Sequence, residues 1–203
     1  MVRVNTKASE RLPLLDPATL REEQRRVYEA IVGGPRAEQS SFGVIDQQGR
    51  LLGPYNAMLH SPSVGMSLQD LGAAVRFRTT FSPREREIAI LLVAVHWRSD
   101  YIWYVHERAA RDAGLSESEL AALRVGADPA LTDNCERAIY TAMVNLTQAA
   151  DLRDDIYAES VSELGHATLV ELITLVGYYT MLALQLRVFR VGVPTGEPAP
   201  SWE

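Results

Sequence analysis

Between Ser82 and Trp97 the chain announces a helix and then leaves that helix no watery side. Ser82, Pro83 and Glu85 supply a side-chain cap, a first-turn proline and a third-position glutamate, the combination that starts helices. From Ile88 onward, through Ile88-Ala89-Ile90-Leu91-Leu92-Val93-Ala94-Val95, apolar residues occupy all sides instead of one stripe. Such a helix has to be surrounded, so the rest of the chain must supply the elements that surround it. The run is too short to cross a bilayer.

Those elements read as helices too. Asp16 and Pro17 start a first helix that runs to Gly33-Gly34, with Leu20, Val27 and Ile31 on one face. Residues 35–57 are rich in Gly and Pro and read as a loop with at most a small hairpin. Helices follow over 63–78 and 83–97, then from a cap at Ser99 to Gly114. Ser116-x-x-Glu119 opens a short one, and others cover 133–149 and 154–164. Thr168-x-x-Glu171 caps a long last helix through Leu186. No period-2 segment of any length interrupts the series, so the fold class is all-α. The organisation is an N-terminal helix and loop arm over 1–57, a helical domain over 58–190 and an extended tail over 191–203 that lies on a neighbouring subunit.

Composition narrows the function. The chain has 203 residues, 47% hydrophobic and 23% charged, with net charge -6, which argues against nucleic acid as a partner. A single cysteine, Cys135, rules out an internal disulfide and fits a reducing compartment. The start, MVRVNTKASERLPLL, lacks an apolar stretch of signal-peptide type, so a soluble, cytoplasmic protein is expected, with no membrane contact. No ligand cluster demands a metal, and no cofactor is expected. The helices over 83–97 and 168–186 carry more apolar surface than one small bundle covers, so a homo-oligomer is expected.

The chemistry concentrates in Glu87 and the stretch Ser99-Asp100-Tyr101-Ile102-Trp103-Tyr104-Val105-His106. A short turn joins the two helices, so Glu87 and His106 come from packed neighbours and make a plausible proton-transfer unit. If Ser99 caps its helix, an oxyanion or enolate would be welcome where the free N–H groups converge. The plainer alternatives are a structural His106, a Glu87 paired with Arg84 or Arg86, and a Ser99 that is only a cap. Arg76 and Arg78 stand two apart on a helix, so at most one points inward to hold a substrate carboxylate. His96 sits at the helix junction, and Tyr55, Asn56 and His60 follow the Gly/Pro-rich loop. With Tyr101, Ile102 and Trp103 these are the candidate substrate contacts; His106, Glu87 and Ser99 are the candidate catalytic groups. Tyr178 and Tyr179 are interface or pocket in equal measure.

Several of these runs resemble a known family. Gly53-Pro54-Tyr55-Asn56-Ala57-Met58-Leu59-His60-Ser61-Pro62, then Arg76-Phe77-Arg78, Arg84 to Leu91, and His96-Trp97-x-Ser-Asp-Tyr-x-Trp-x-x-His106 are similar in order and spacing to carboxymuconolactone decarboxylase-like proteins. Val170-Glu171-Leu172 and Gly177-Tyr178-Tyr179 extend the likeness. The resemblance implies the helical bundle of the alkylhydroperoxidase D fold, assembled as trimers or pairs of trimers. In the peroxidase branch a glutamate, a C-x-x-C pair and a histidine do the work. Glu87 and His106 match the first and last, but Ser99 and Ile102 stand at the cysteine positions. Thiol–disulfide exchange needs a thiolate and a sulfur to attack, and neither side chain supplies one. Closer relatives carry glutamate where this chain has Ile102, a change toward a greasier pocket. The resemblance therefore implies a cofactor-free lyase of the decarboxylase type, working through an enolate of a small oxygenated acid or lactone. A non-catalytic, oligomeric small-molecule binder is the alternative, and a peroxide-reducing antioxidant ranks below both.

Overall fold

The computed structural model describes residues 10–34, 43–194 and 196–202. In chain order the α-helices are α1 (Glu22–Val32), α2 (Pro54–His60), α3 (Pro62–Phe77), α4 (Pro83–Trp97), α5 (Asp100–Asp112), α6 (Glu117–Arg124), α7 (Asn134–Ala149) and α8 (Asp154–Phe189). Among the described residues the only β pairing is an isolated antiparallel bridge between Ile45 and Leu51. The fold is all-α.

The helix with no polar side is the centre. Ser82 Oγ accepts from the Glu85 amide at 3.2 Å while Glu85 Oε2 accepts from the Ser82 amide at 2.6 Å, closing the cap that the sequence advertises. Glu87 and every residue from Ile88 to Ala94 are buried, because α5, α7 and α8 pack around α4. Arg98 ends α4 in the left-handed conformation, and the chain turns at once into α5. With a rise of about 1.5 Å per residue, Glu87 lies about 15 Å back from the turn and His106 about 10 Å beyond it, so the two meet across the hairpin.

Five expectations are corrected. Asp16 and Pro17 start only a one-turn 3-10 helix, Pro17–Thr19; Leu20 is extended and α1 begins afresh at Glu22. The loop expected to run to 57 ends sooner, since Pro54 opens α2; its residues 35–42, like residues 1–9 of the arm, lie outside the described residues. The described part of the arm is built into the helical domain: Val27 and Ile31 are fully buried in the same core as α4, and Asn56 holds it in place. Asn56 Oδ1 accepts from the Leu15 amide at 3.1 Å and its Nδ2 donates to the Pro13 carbonyl at 3.0 Å.

The last helix does not start at Thr168. The break falls at Gly165, whose φ of 77° and ψ of 164° only glycine adopts without strain. Glu171 is consequently freed from capping and reaches across to the α3–α4 turn, accepting from the Thr80 amide at 2.8 Å and the Thr80 hydroxyl at 2.7 Å. The tail folds back on its own chain. Trp202 Nε1 donates to Asp100 Oδ1 at 2.6 Å, its ring meets Trp103 edge to face at 5.7 Å, and Glu197 pairs with Arg108 at 3.0 Å.

Candidate functional site

Glu87 is 1% exposed yet ionised, which its neighbours explain. Burial opposes the charge, but His106, Arg76 and Arg86 outweigh it and hold the carboxyl below its ordinary range. Arg76 Nη1 donates to Oε1 at 3.1 Å, Arg86 Nε stands 3.7 Å from the same oxygen, and His106 Nδ1 lies 2.6 Å from Oε2. Arg76 comes from α3, Glu87 and Arg86 from α4, and His106 from α5. Three helices therefore converge on one carboxylate.

His106 responds in the opposite direction from an exposed histidine beside an acid. Burial favours the neutral ring; Glu87 opposes this, and the two guanidiniums reinforce it, so the imidazole titrates below its ordinary value. The consistent state is an ionised Glu87 accepting from Nδ1–H of a neutral His106, which leaves Nε2 as a lone-pair nitrogen for the cavity. Tyr179 meets the ring edge to face at 5.2 Å and fixes its plane. Burial disfavours the Arg76 charge, but Tyr179 and Glu87 beside it keep it a permanent cation. Counting Arg76, Arg86 and Glu87 with a neutral His106, the cluster carries one net positive charge, and it suits an anion.

The cavity that this cluster faces has a volume of about 70 Å³. Tyr55, Arg76, Tyr101, Ile102 and His106 line it, as do Val44, Phe77, Val105, Tyr178, Tyr179 and Leu182. Arg78 points away and reaches the Asp70 carbonyl instead, so of the two arginines Arg76 is the inward one. Burial, with the hydroxyls of Tyr55 and Tyr104 nearby, pushes the Tyr101 phenol up, so it stays a neutral donor.

The remaining candidates stand elsewhere, each for a physical reason. Ser99 is buried at the N-cap of α5, makes no side-chain cap bond and does not line the cavity, which removes the geometric basis for its oxyanion role. Trp103 is fully buried, four residues on from Ser99 and sandwiched between Trp202 and Arg124. His96 is exposed and edge-on to Trp97 at 5.3 Å. Asn56 is committed to the arm, and exposed His60 places Nε2 3.0 Å from the Pro13 carbonyl. Glu87 supports His106 from behind and is not itself a wall residue. Tyr178 and Tyr179, which the sequence leaves equally open as interface or pocket, prove to be pocket residues, because α8 brings Tyr179 against the His106 ring.

Comparison with known proteins agrees with this architecture. Residues 62–143, the span from α3 into α7, match the model of the carboxymuconolactone decarboxylase family. No curated protein matches the sequence significantly. Among solved structures, an uncharacterised peroxidase-related protein from Silicibacter sp. TM1040 is similar over 100% of both chains, with TM-score 0.70 at 15% identity. A protein of unknown function from Agrobacterium tumefaciens, thought to be the antioxidant defence protein AhpD, covers 69% of this chain and 97% of its own, with TM-score 0.61 at 19% identity. The debrominase Bmp8, a cysteine-to-alanine variant holding 2,3,4-tribromopyrrole, covers 93% of this chain and 94% of its own, with TM-score 0.68 at 11% identity. At these identities the neighbours establish the shared alkylhydroperoxidase D-like fold and nothing finer.

Proposed function

With residues 62–143 matching the model of the carboxymuconolactone decarboxylase family, we propose that this chain is a lyase of the decarboxylase type acting on a small oxygenated organic acid or lactone through an enolate. The observation that carries the reading is the 2.6 Å contact between His106 Nδ1 and Glu87 Oε2, with the other side of the ring on a cavity that also holds the Arg76 guanidinium. Arg76 takes the substrate anion. That negative charge, brought beside the ring, raises the affinity of Nε2 for a proton, which it draws from solvent. Loss of CO2 breaks the carbon–carbon bond and leaves its electron pair on the substrate as an enolate. His106 Nε2–H then protonates carbon, and the ring returns to the neutral state. Glu87 fixes the tautomer and orientation throughout, and it is a positioning residue. The sum is one carboxylate and one proton in, one CO2 and one protonated product out.

The antioxidant and peroxidase roles named for two neighbours would, on the resemblance, run through a C-x-x-C pair, and that chemistry finds no support in these residues. Ser99 and Ile102 bring no sulfur, and Cys135, on α7, has its thiol pushed up by burial and by the acids around it. The debrominase binds a small flat heterocycle on the same fold, which supports a small unsaturated ring as the substrate shape here. A non-catalytic binder is the second reading, favoured by Ile102, whose apolar side chain lines the cavity where relatives bring a carboxylate. A screen of β-keto acids and unsaturated lactone acids for CO2 release separates the two. Turnover by the parent that falls by about 100-fold or more in His106→Ala supports the lyase. Turnover that survives His106→Ala within a few-fold would sink it.

We also expect a homo-oligomer. Val170, Ile173, Gly177, Leu184 and Val188 share one face of α8, and the four apolar side chains are between 42% and 64% exposed. By length and composition α8 is also long and apolar enough to cross a membrane, but its other face, with Leu172, Leu175 and Leu182, is core. A second protein surface is therefore the better cover. Light scattering that returns a stable monomer would count against it.

A further inference from the structure

A cavity of about 70 Å³ holds little more than the reacting end of an ordinary metabolite, since small-molecule sites run to several hundred. Next to it lies a cleft of about 820 Å³, between the N-terminal arm, the 45–57 segment and the C-terminal end of α8. Pro54 and Tyr101 line both spaces. Tyr101 is thus the wall between them, and the way that wall is built is specific. Its ring lies against the backbone of Gly53, where a Cβ would stand 2.2 Å from Tyr101 Cζ and 2.3 Å from its oxygen. Gly53 also has a φ of 60°. Both facts demand glycine, and both serve to let one aromatic ring lie across the gap. Tyr101 is partly buried and packs against the edge of the core, so its ring forms a fixed partition between the two spaces.

The outer cleft differs in character from the inner cavity. One wall is apolar, with Leu12, Leu14, Leu52, Ala57, Leu186 and Phe189, and the rest is polar: Arg50 is paired with Asp46, and Glu10, Gln185 and Arg190 also line it. The inner cavity holds the buried charge cluster, and the outer cleft adds room and a leucine-rich wall beside its polar one. We propose that the two form one extended binding site, divided by the Tyr101 ring, that selects acids carrying an apolar arm: the anionic end at Arg76 and His106, the arm past Tyr101 into the outer cleft. This rests on the anion-binding reading of the inner cavity, and adds to it the substrate class and the residue that sets it.

The test uses straight-chain carboxylates as probes, from acetate through butanoate and hexanoate to octanoate, and reads the His106 imidazole signals by NMR on the full chain. All four acids shift those signals in the parent. From butanoate onward Kd falls about three- to fourfold per added methylene, as each leaves water for the cleft. Ala57→Trp, which fills the outer cleft, flattens that series and leaves acetate unchanged. Leu12→Trp, from the opposite wall, does the same if the first variant fails to fold. Tyr101→Ala removes the partition and admits branched acids that the parent rejects. A flat chain-length series with His106 still responding overturns the extended site and leaves the inner one standing. Silence of His106 toward acetate overturns both.

Discussion

Replacing Glu87 by glutamine keeps the shape of the side chain and removes the charge on which three helices converge. The cost can be worked from the contacts. The carboxylate is 1% exposed and receives Arg76 at 3.1 Å and His106 at 2.6 Å, with Arg86 at 3.7 Å. An amide offers one acceptor oxygen in place of two and no charge, so the guanidiniums are left facing each other uncompensated. Removing one partner of a buried pair costs about 3–5 kcal/mol. The Arg76 side chain is 20% exposed and recovers some hydration, which lowers the expected loss to about 2–4 kcal/mol. For a chain of this size that corresponds to a fall in Tm of about 5–15 °C. Urea denaturation of the parent, Glu87→Gln, Arg76→Met and the double variant closes a cycle. The double variant should lose less than the two singles together, by about 1–3 kcal/mol, because it removes the cation along with its counter-charge. A loss below about 1 kcal/mol for Glu87→Gln, additive with Arg76→Met, would refute the claim that this carboxylate organises a buried charge cluster.

Acid should destabilise the fold in two stages. The folded state holds the His106 pKa below the ordinary 6.5, so on acidification the unfolded chain takes up that proton first and stability drains from about pH 6.5 downward. Glu87 is likewise lowered from 4.5, so its contribution is intact above that value and is lost as pH falls below it. Urea midpoints should therefore rise between about pH 5 and 7, where a flat or falling trend would contradict the His106 assignment, and should fall further below about pH 4.5, where a flat trend would contradict that of Glu87. Ile102→Glu brings a carboxylate to the cavity wall beside His106, and NMR titration should show the imidazole pKa moved up; no movement would mean that the two side chains do not share the cavity. Gly165→Ala meets no steric obstacle but must adopt a φ of 77° with a ψ of 164°, and should cost about 1–3 kcal/mol. Gly177→Ala is helical and unobstructed within its own chain, but it lies on the face expected to meet a second copy, so it should weaken the oligomer in light scattering; a gain of about 0.5–1 kcal/mol with assembly unchanged would mean that this face is uncovered.

Local signals in the sequence carried the helices. Ser82-Pro83-Arg84-Glu85 and Ser116-x-x-Glu119 each encode a cap within four residues, and both close as written, because a helix start is satisfied by its own neighbours. The joining of α4 to α5 by one short turn was equally readable, and it brings Glu87 opposite His106. Where a signal had a competing partner at long range, the sequence misled. Thr168-x-x-Glu171 has the letters of a cap, yet Glu171 serves Thr80 in the turn before α4, and the break moved to Gly165. Ser99 stands at a helix start, but its hydroxyl makes no cap bond and does not face the cavity. Only tertiary structure could decide which arginine turns inward, that Tyr179 rather than Trp103 meets the imidazole, and that His106 sits neutral beside an ionised acid. Residue order determines what a helix can offer on each face; which offer is accepted depends on what the other helices bring within reach.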